Sequence, residues 1–77
     1  MSTHQTCYDL LEKIVAMDNV SFNLSNGLLG YGANCSTDSY PLALQTTIQF
    51  LNDKGFNEED KLKYMNAFHY GFMLSTK

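Results

Sequence analysis

Apolar residues recur along this chain in two different rhythms. From Thr3 to Asp18, Cys7, Leu10, Leu11, Ile14 and Met17 follow the spacing of one helical face, with Asp9, Glu12, Lys13 and Ala16 opposite. Ser2-x-x-Gln5 fits a capping box, so the pattern predicts a first helix over 3–18. Asn19 supplies a left-handed cap, with Val20 beyond it to cover the last turn.

The rhythm then changes. Asn26-Gly27 is a strong hairpin signal, because a type I′ turn needs positive φ at both central residues. Pairing outward from that tip collects Val20, Phe22, Leu24, Leu29, Tyr31 and Ala33 on one face, and Ser21, Asn23, Gly30 and Gly32 on the other. Residues 20–33 therefore read as a β-hairpin whose apolar face must lie on the flanking segments, since an isolated ribbon is marginal in water.

NCSTDS at 34–39 is a turn-forming connector. Ser39 or Tyr40 starts a second helix in which Pro41 is tolerated in the first turn, with Leu44, Thr47, Ile48 and Leu51 inward and Phe50 at the edge. Lys54-Gly55-Phe56 reads as a Schellman ending, and Asn57 caps a third helix whose first turn holds Glu58, Glu59 and Asp60. That helix runs from Glu58 to about Leu74, with Leu62, Met65, His69, Phe72 and Met73 inward. The expected fold class is a small single α+β domain over 1–77, ordered α-ββ-αα, with the hairpin packed on a three-helix layer. The alternative is an all-α three-helix protein with a long irregular loop at 20–39.

Composition narrows the function classes. The 77 residues carry five lysines, no arginine and eight acids, a formal charge of −3. Five scattered lysines make no basic stripe, and the residue that most often reads guanine edges is missing, so nucleic acid is not the expected partner. No apolar run approaches the roughly 20 residues that span a bilayer. The first residues lack the basic-then-apolar layout of a secretory signal. The expectation is a cytoplasmic protein with no membrane contact, and Cys7 and Cys35 are then free thiols.

Two constellations stand out. His4, Cys7, Cys35 and His69 have the ligand types of a Cys₂His₂ zinc site, with His4-x-x-Cys7 on one helical face, although the remaining spacing is unlike a zinc finger. The bland reading of His69 is a partly buried histidine hydrogen-bonded to a backbone carbonyl or to a hydroxyl. The second constellation is aromatic and small. Tyr8, Tyr64 and Tyr70 flank the inner stripes, Leu42 points outward, and Ala67 and Gly71 lie one turn apart beside Phe68, where another element could approach closely. Gly30 and Gly32 leave bare backbone on one hairpin face.

No acid/base pair or activated nucleophile emerges, and no cofactor is implied. The expected function is a small acidic, non-enzymatic module that binds a protein partner as an inhibitor or adaptor, with Tyr8, Gly30, Gly32, Leu42, Tyr64, Ala67, Phe68, Tyr70 and Gly71 at the contact. A virus- or mobile-element-encoded anti-defence inhibitor, of anti-CRISPR-like type, belongs to that class on size alone, and a homodimer through Tyr64, Phe68 and Gly71 is a related expectation. The alternative is a small-molecule- or zinc-binding module using the glycine-rich hairpin or the His4/Cys7/Cys35/His69 set. An enzyme centred on Cys35 or His69 is a third class.

Overall fold

A computed structural model of the chain describes residues 3–75, and side chains from residue 5 onward. Four α-helices follow one another: α1 (Thr3–Val15), α2 (Val20–Ala33), α3 (Tyr40–Asp53) and α4 (Glu58–Ser75). Among the described residues there is no strand. The α+β expectation is overturned; of its alternative the all-α class holds, but with four helices rather than three and no long irregular loop, because the stretch read as a hairpin is α2.

The reason lies in what the glycines do. Leu24, Leu28, Tyr31 and Gly32 are the buried residues of α2, a helical i, i+4, i+7, i+8 stripe hidden inside the alternating pattern. Glycine costs a helix about 1 kcal/mol relative to alanine, and α2 holds Gly27, Gly30 and Gly32. One of them is needed for close approach to a backbone, and another faces a movable side-chain tip. A Cβ on Gly32 would stand 2.0 Å from the Phe68 carbonyl oxygen of α4, and one on Gly27 would stand 2.9 Å from Ile14 Cδ1 of α1. Asn26-Gly27 makes no turn, since Gly55 is the only described glycine with positive φ. Phe22, placed on the same face as Tyr31 by the hairpin reading, is 69% exposed while Tyr31 is buried.

Local chemistry sets the helix ends. Asn19 adopts φ 58°, the left-handed conformation that turns the chain from α1 into α2. α1 stops at Val15 rather than Asp18, and the Ala16 and Met17 amides then donate to the Lys13 and Ile14 carbonyls, three residues back. Ser36 and Ser39 exchange bonds between their amides and hydroxyls, closing the turn before α3. At the end of α3, Phe56 N–H donates to the Leu51 carbonyl and Gly55 N–H to that of Asn52, with Gly55 at φ 75°. That is the Schellman pair of bonds. Asn57 Oδ1 accepts from the Asp60 amide at 2.8 Å and caps α4.

Cross-helix contacts give the directions. Ile14 and Leu11 face Gly27, and Cys7 lies across from Tyr31, so α1 and α2 are antiparallel. Lys63 of α4 bonds Ser21 near the start of α2, whereas Gly71 reaches Leu29 near its end, so α2 and α4 run in the same direction. Tyr40 meets Phe72 and Lys61 meets Asn52, which makes α3 and α4 antiparallel. The result is an up-down-up-down bundle. Leu11, Leu24, Leu28, Phe50, Leu51 and Phe68, each at most 1% exposed, form the centre of its core. Tyr31 lies 5.5 Å from Phe68, and Tyr8 stands edge-on to Phe50 at 5.2 Å, between ring centroids.

Two helix faces differ from the expected ones. In α3 the buried residues are Ala43, Thr47, Phe50 and Leu51, so Phe50 moves inward and Ile48 outward. In α4 they are Tyr64, Phe68 and Gly71, while Leu62 and Met73 are more than half exposed. Both stripes were drawn through the greasier residues. The core instead follows aromatic and small residues, Ala43 and Phe50 in α3, and Tyr64, Phe68 and Gly71 in α4, the last two at the seam with α2.

Candidate protein-docking groove

The outward turn of Ile48 and Leu62 creates the feature with most functional content. Between α3 and α4 runs a groove of about 380 Å³ with Leu51 at its floor and Ile48, Leu62 and Met65 along its walls. Leu51 is fully buried, whereas Ile48 is 43% and Leu62 63% exposed. Asn52, Glu58 and Lys61 form the rim. Lys61 Nζ donates to Asn52 Oδ1 at 3.1 Å and pairs with Glu58 at 3.0 Å, so the rim is held by its own polar network. An apolar centre inside a satisfied polar margin is the anatomy of a protein-binding patch. Methionine at the wall adds a side chain that adapts to varied shapes.

A second, more enclosed cavity of about 270 Å³ lies between α1 and α2. Cys7, Leu10 and Leu11 line it from α1, and Gly27, Gly30, Tyr31 and Asn34 from the opposite side. A Cβ on Gly30 would meet nothing within 4 Å, so this glycine leaves room rather than permitting contact. Burial pushes the Tyr31 phenol up to about 12, helped by the neighbouring Cys7 and Cys35 thiols.

The nine residues expected at a protein contact are scattered. Tyr64 and Phe68 are buried in the core, and Ala67 is half-buried between them on α4. Gly71 and Gly32 are buried at the crossing of α2 and α4, where a Cβ on Gly71 would stand 2.0 Å from the Leu29 carbonyl oxygen. The close approach expected at Ala67 and Gly71 occurs, but the approaching element is this chain's own α2. Tyr8 is half-buried, and its hydroxyl donates to Asp53 Oδ2 at 2.7 Å, a bond that raises the phenol to about 12. Leu42, Tyr70 and Gly30 remain exposed, and of these only Gly30 lines a described cavity. Ile48, Leu62 and Met65, which make the groove, were read as core. Met65 is half-buried against it, but Ile48 and Leu62 are exposed, their chemistry noticed without the correct helix phase.

The metal set does not assemble among the described side chains. No group of three or more histidine, cysteine, aspartate or glutamate residues there is placed to hold a metal ion. Cys35 is buried with its Sγ donating to the Tyr31 carbonyl at 3.2 Å. His69 is exposed rather than on the inner stripe of α4, and its Nδ1 lies 3.0 Å from the Tyr40 hydroxyl, the kind of partner expected without the expected burial. Cys7 lines the α1/α2 cavity, and the His4 side chain lies outside the described residues. Burial raises both thiols above their ordinary value, and Cys7 adds to the rise at Cys35.

No described helix is long and apolar enough to cross a membrane. Comparison with protein-family models, with curated proteins and with solved structures finds no match for this chain.

Proposed function

We propose that this chain is a cytoplasmic protein-binding module, an inhibitor or adaptor that works by occupancy rather than catalysis, and that it seats a partner segment in the α3/α4 groove. The observation that carries the reading is the pair Ile48 and Leu62, exposed on either side of buried Leu51. A helix that exposes such residues beside unfilled space gains when a partner covers them, by about 1–2 kcal/mol for each side chain. The test is affinity capture from the native host with the wild-type chain and with an Ile48→Lys/Leu62→Lys variant. Both positions are exposed, so the variant keeps its helical circular dichroism. A partner held by the wild type and lost by the variant supports the reading. One retained equally by both removes the groove from it, and a homodimer that the variant dissolves would make a second copy the partner.

The α1/α2 cavity favours a second reading, a small apolar ligand. Gly30 keeps that space open at a helical position where alanine would be the more stable choice. Filling it with Gly30→Leu while partner capture is unchanged would separate the two readings.

A further inference from the structure

Two nucleophilic groups remain outside the reading above, and they lie on the same side of the molecule. Gly27 against Leu11 and Ile14 sets the antiparallel register of α1 and α2. Carried toward the start of α1, that register brings Cys7 level with the last turn of α2. The cavity confirms the placement: Cys7 lines one wall, and Tyr31 and Asn34, the residue before Cys35, line the other. Cys35 is turned back along the same turn, its Sγ bonded to the Tyr31 carbonyl at 3.2 Å. The two thiols thus bracket Tyr31. Both belong to the same core cluster, Cys35 buried and Cys7 partly buried against it. Cys7 lines the cavity, which gives its side chain room on that side.

From this arrangement we infer that Cys7 and Cys35 are a redox pair, free thiols under reducing conditions that close to an intramolecular disulfide joining α1 to the end of α2. The co-reactant is a low-molecular-weight disulfide such as oxidised glutathione. The Cys7 thiolate, the more accessible of the two, attacks one of its sulfurs, and glutathione thiolate leaves. The Cys35 thiolate then attacks Cys7 Sγ and expels the second glutathione. Two protein thiols are oxidised, one glutathione disulfide is reduced to two thiols, and the two thiol protons pass to the glutathione thiolates. Burial, which raises both thiols, keeps the thiolate fraction small near neutral pH. Closure is therefore slow there and accelerates toward alkaline pH.

The test treats the native, full-length chain with oxidised glutathione across pH 7 to about 9 and reads it by intact mass, non-reducing electrophoresis and thermal melting. The expected result is a monomer lighter by about two mass units, formed faster at higher pH, helical, and melting about 10 °C higher until dithiothreitol reverses it. Cys7→Ser and Cys35→Ala each abolish the mass loss. Cys7→Ser, at the less buried position, guards against a folding defect in the other variant. A stable glutathione adduct without ring closure, a disulfide-linked dimer, or closure only in denaturant would each overturn the inference.

Discussion

Helix α4 has two neighbours and meets them in opposite ways. Against α2 the backbones touch, with Gly32 under the Phe68 carbonyl and Gly71 under that of Leu29. Against α3 the helices part along Ile48, Leu62 and Met65 and leave a groove. One seam has had side chains removed so that it can close. The other is closed by Tyr40 against Phe68 and Phe72 at one end and opens at the other, where large side chains line a groove. The contrast teaches that apolar content alone does not choose the core face of a helix. The face that permits the nearest approach wins, because close packing gains dispersion contacts along the whole seam.

The sharpest way to break the comparison is to put a methyl group into the closed seam. Gly71→Ala places a carbon 2.0 Å from a carbonyl oxygen, so the helices must separate. The expected loss is about 3 kcal/mol or more in denaturant unfolding, well beyond the ~1 kcal/mol that alanine adds as a helix former. Gly32→Ala should match it. Wild-type stability in either variant would mean that the backbones do not touch.

Gly30→Ala is the counterpart, the same substitution where nothing lies within 4 Å. Here only the propensity gain remains, and the unfolding free energy should rise by about 1 kcal/mol. A loss would show that the α1/α2 cavity is filled in solution.

A smaller effect concerns the far side of α3, which holds α1 by polar bonds. Tyr8 donates to Asp53, and Lys54 pairs with Glu12 at 2.8 Å. Replacing Tyr8 with phenylalanine should cost about 0.5–1 kcal/mol at neutral pH. The hydrogen bond to Asp53 raises the folded-state phenol from 10.0 to about 12. Its contribution is therefore full below pH 10 and is lost as pH climbs from 10 toward 12. Alkaline melts should show a shallower decline for Tyr8→Phe than for wild type, with Tyr31 common to both. The smallest change belongs to the open seam. Leu62→Lys should move stability by less than about 0.5 kcal/mol, since Leu62 is exposed, and a large loss would place it in the core after all.

How far the sequence revealed this molecule depended on how local the deciding interaction was. The α3–α4 corner was legible residue by residue, because Gly55, Phe56, Asn57 and Asp60 bond to groups within five positions of themselves. Residues 20–33 were not. Their apolar positions satisfy both a strand and a helix period, and what decides between them is α4, some forty residues away. The small residues Ala67 and Gly71 correctly marked a place of close approach, but nothing in their spacing says whether the visitor is another molecule or another helix of the same chain. For the groove, Ile48, Leu62 and Met65 were noticed as apolar and assigned inward. Met65 is half-buried against the core, whereas Leu62 is exposed because α4 turns Phe68 and Gly71 toward α2, and Ile48 because α3 turns Phe50 and Leu51 inward.

The glycine crossing acts as a pin. Sliding α2 along α4 by a single residue, about 1.5 Å, would drive Cβ-bearing positions into the carbonyls that Gly32 and Gly71 now clear. The alignment of those two helices is thereby indexed at one point. The groove opens on the α3 side of α4, outside that indexed pair.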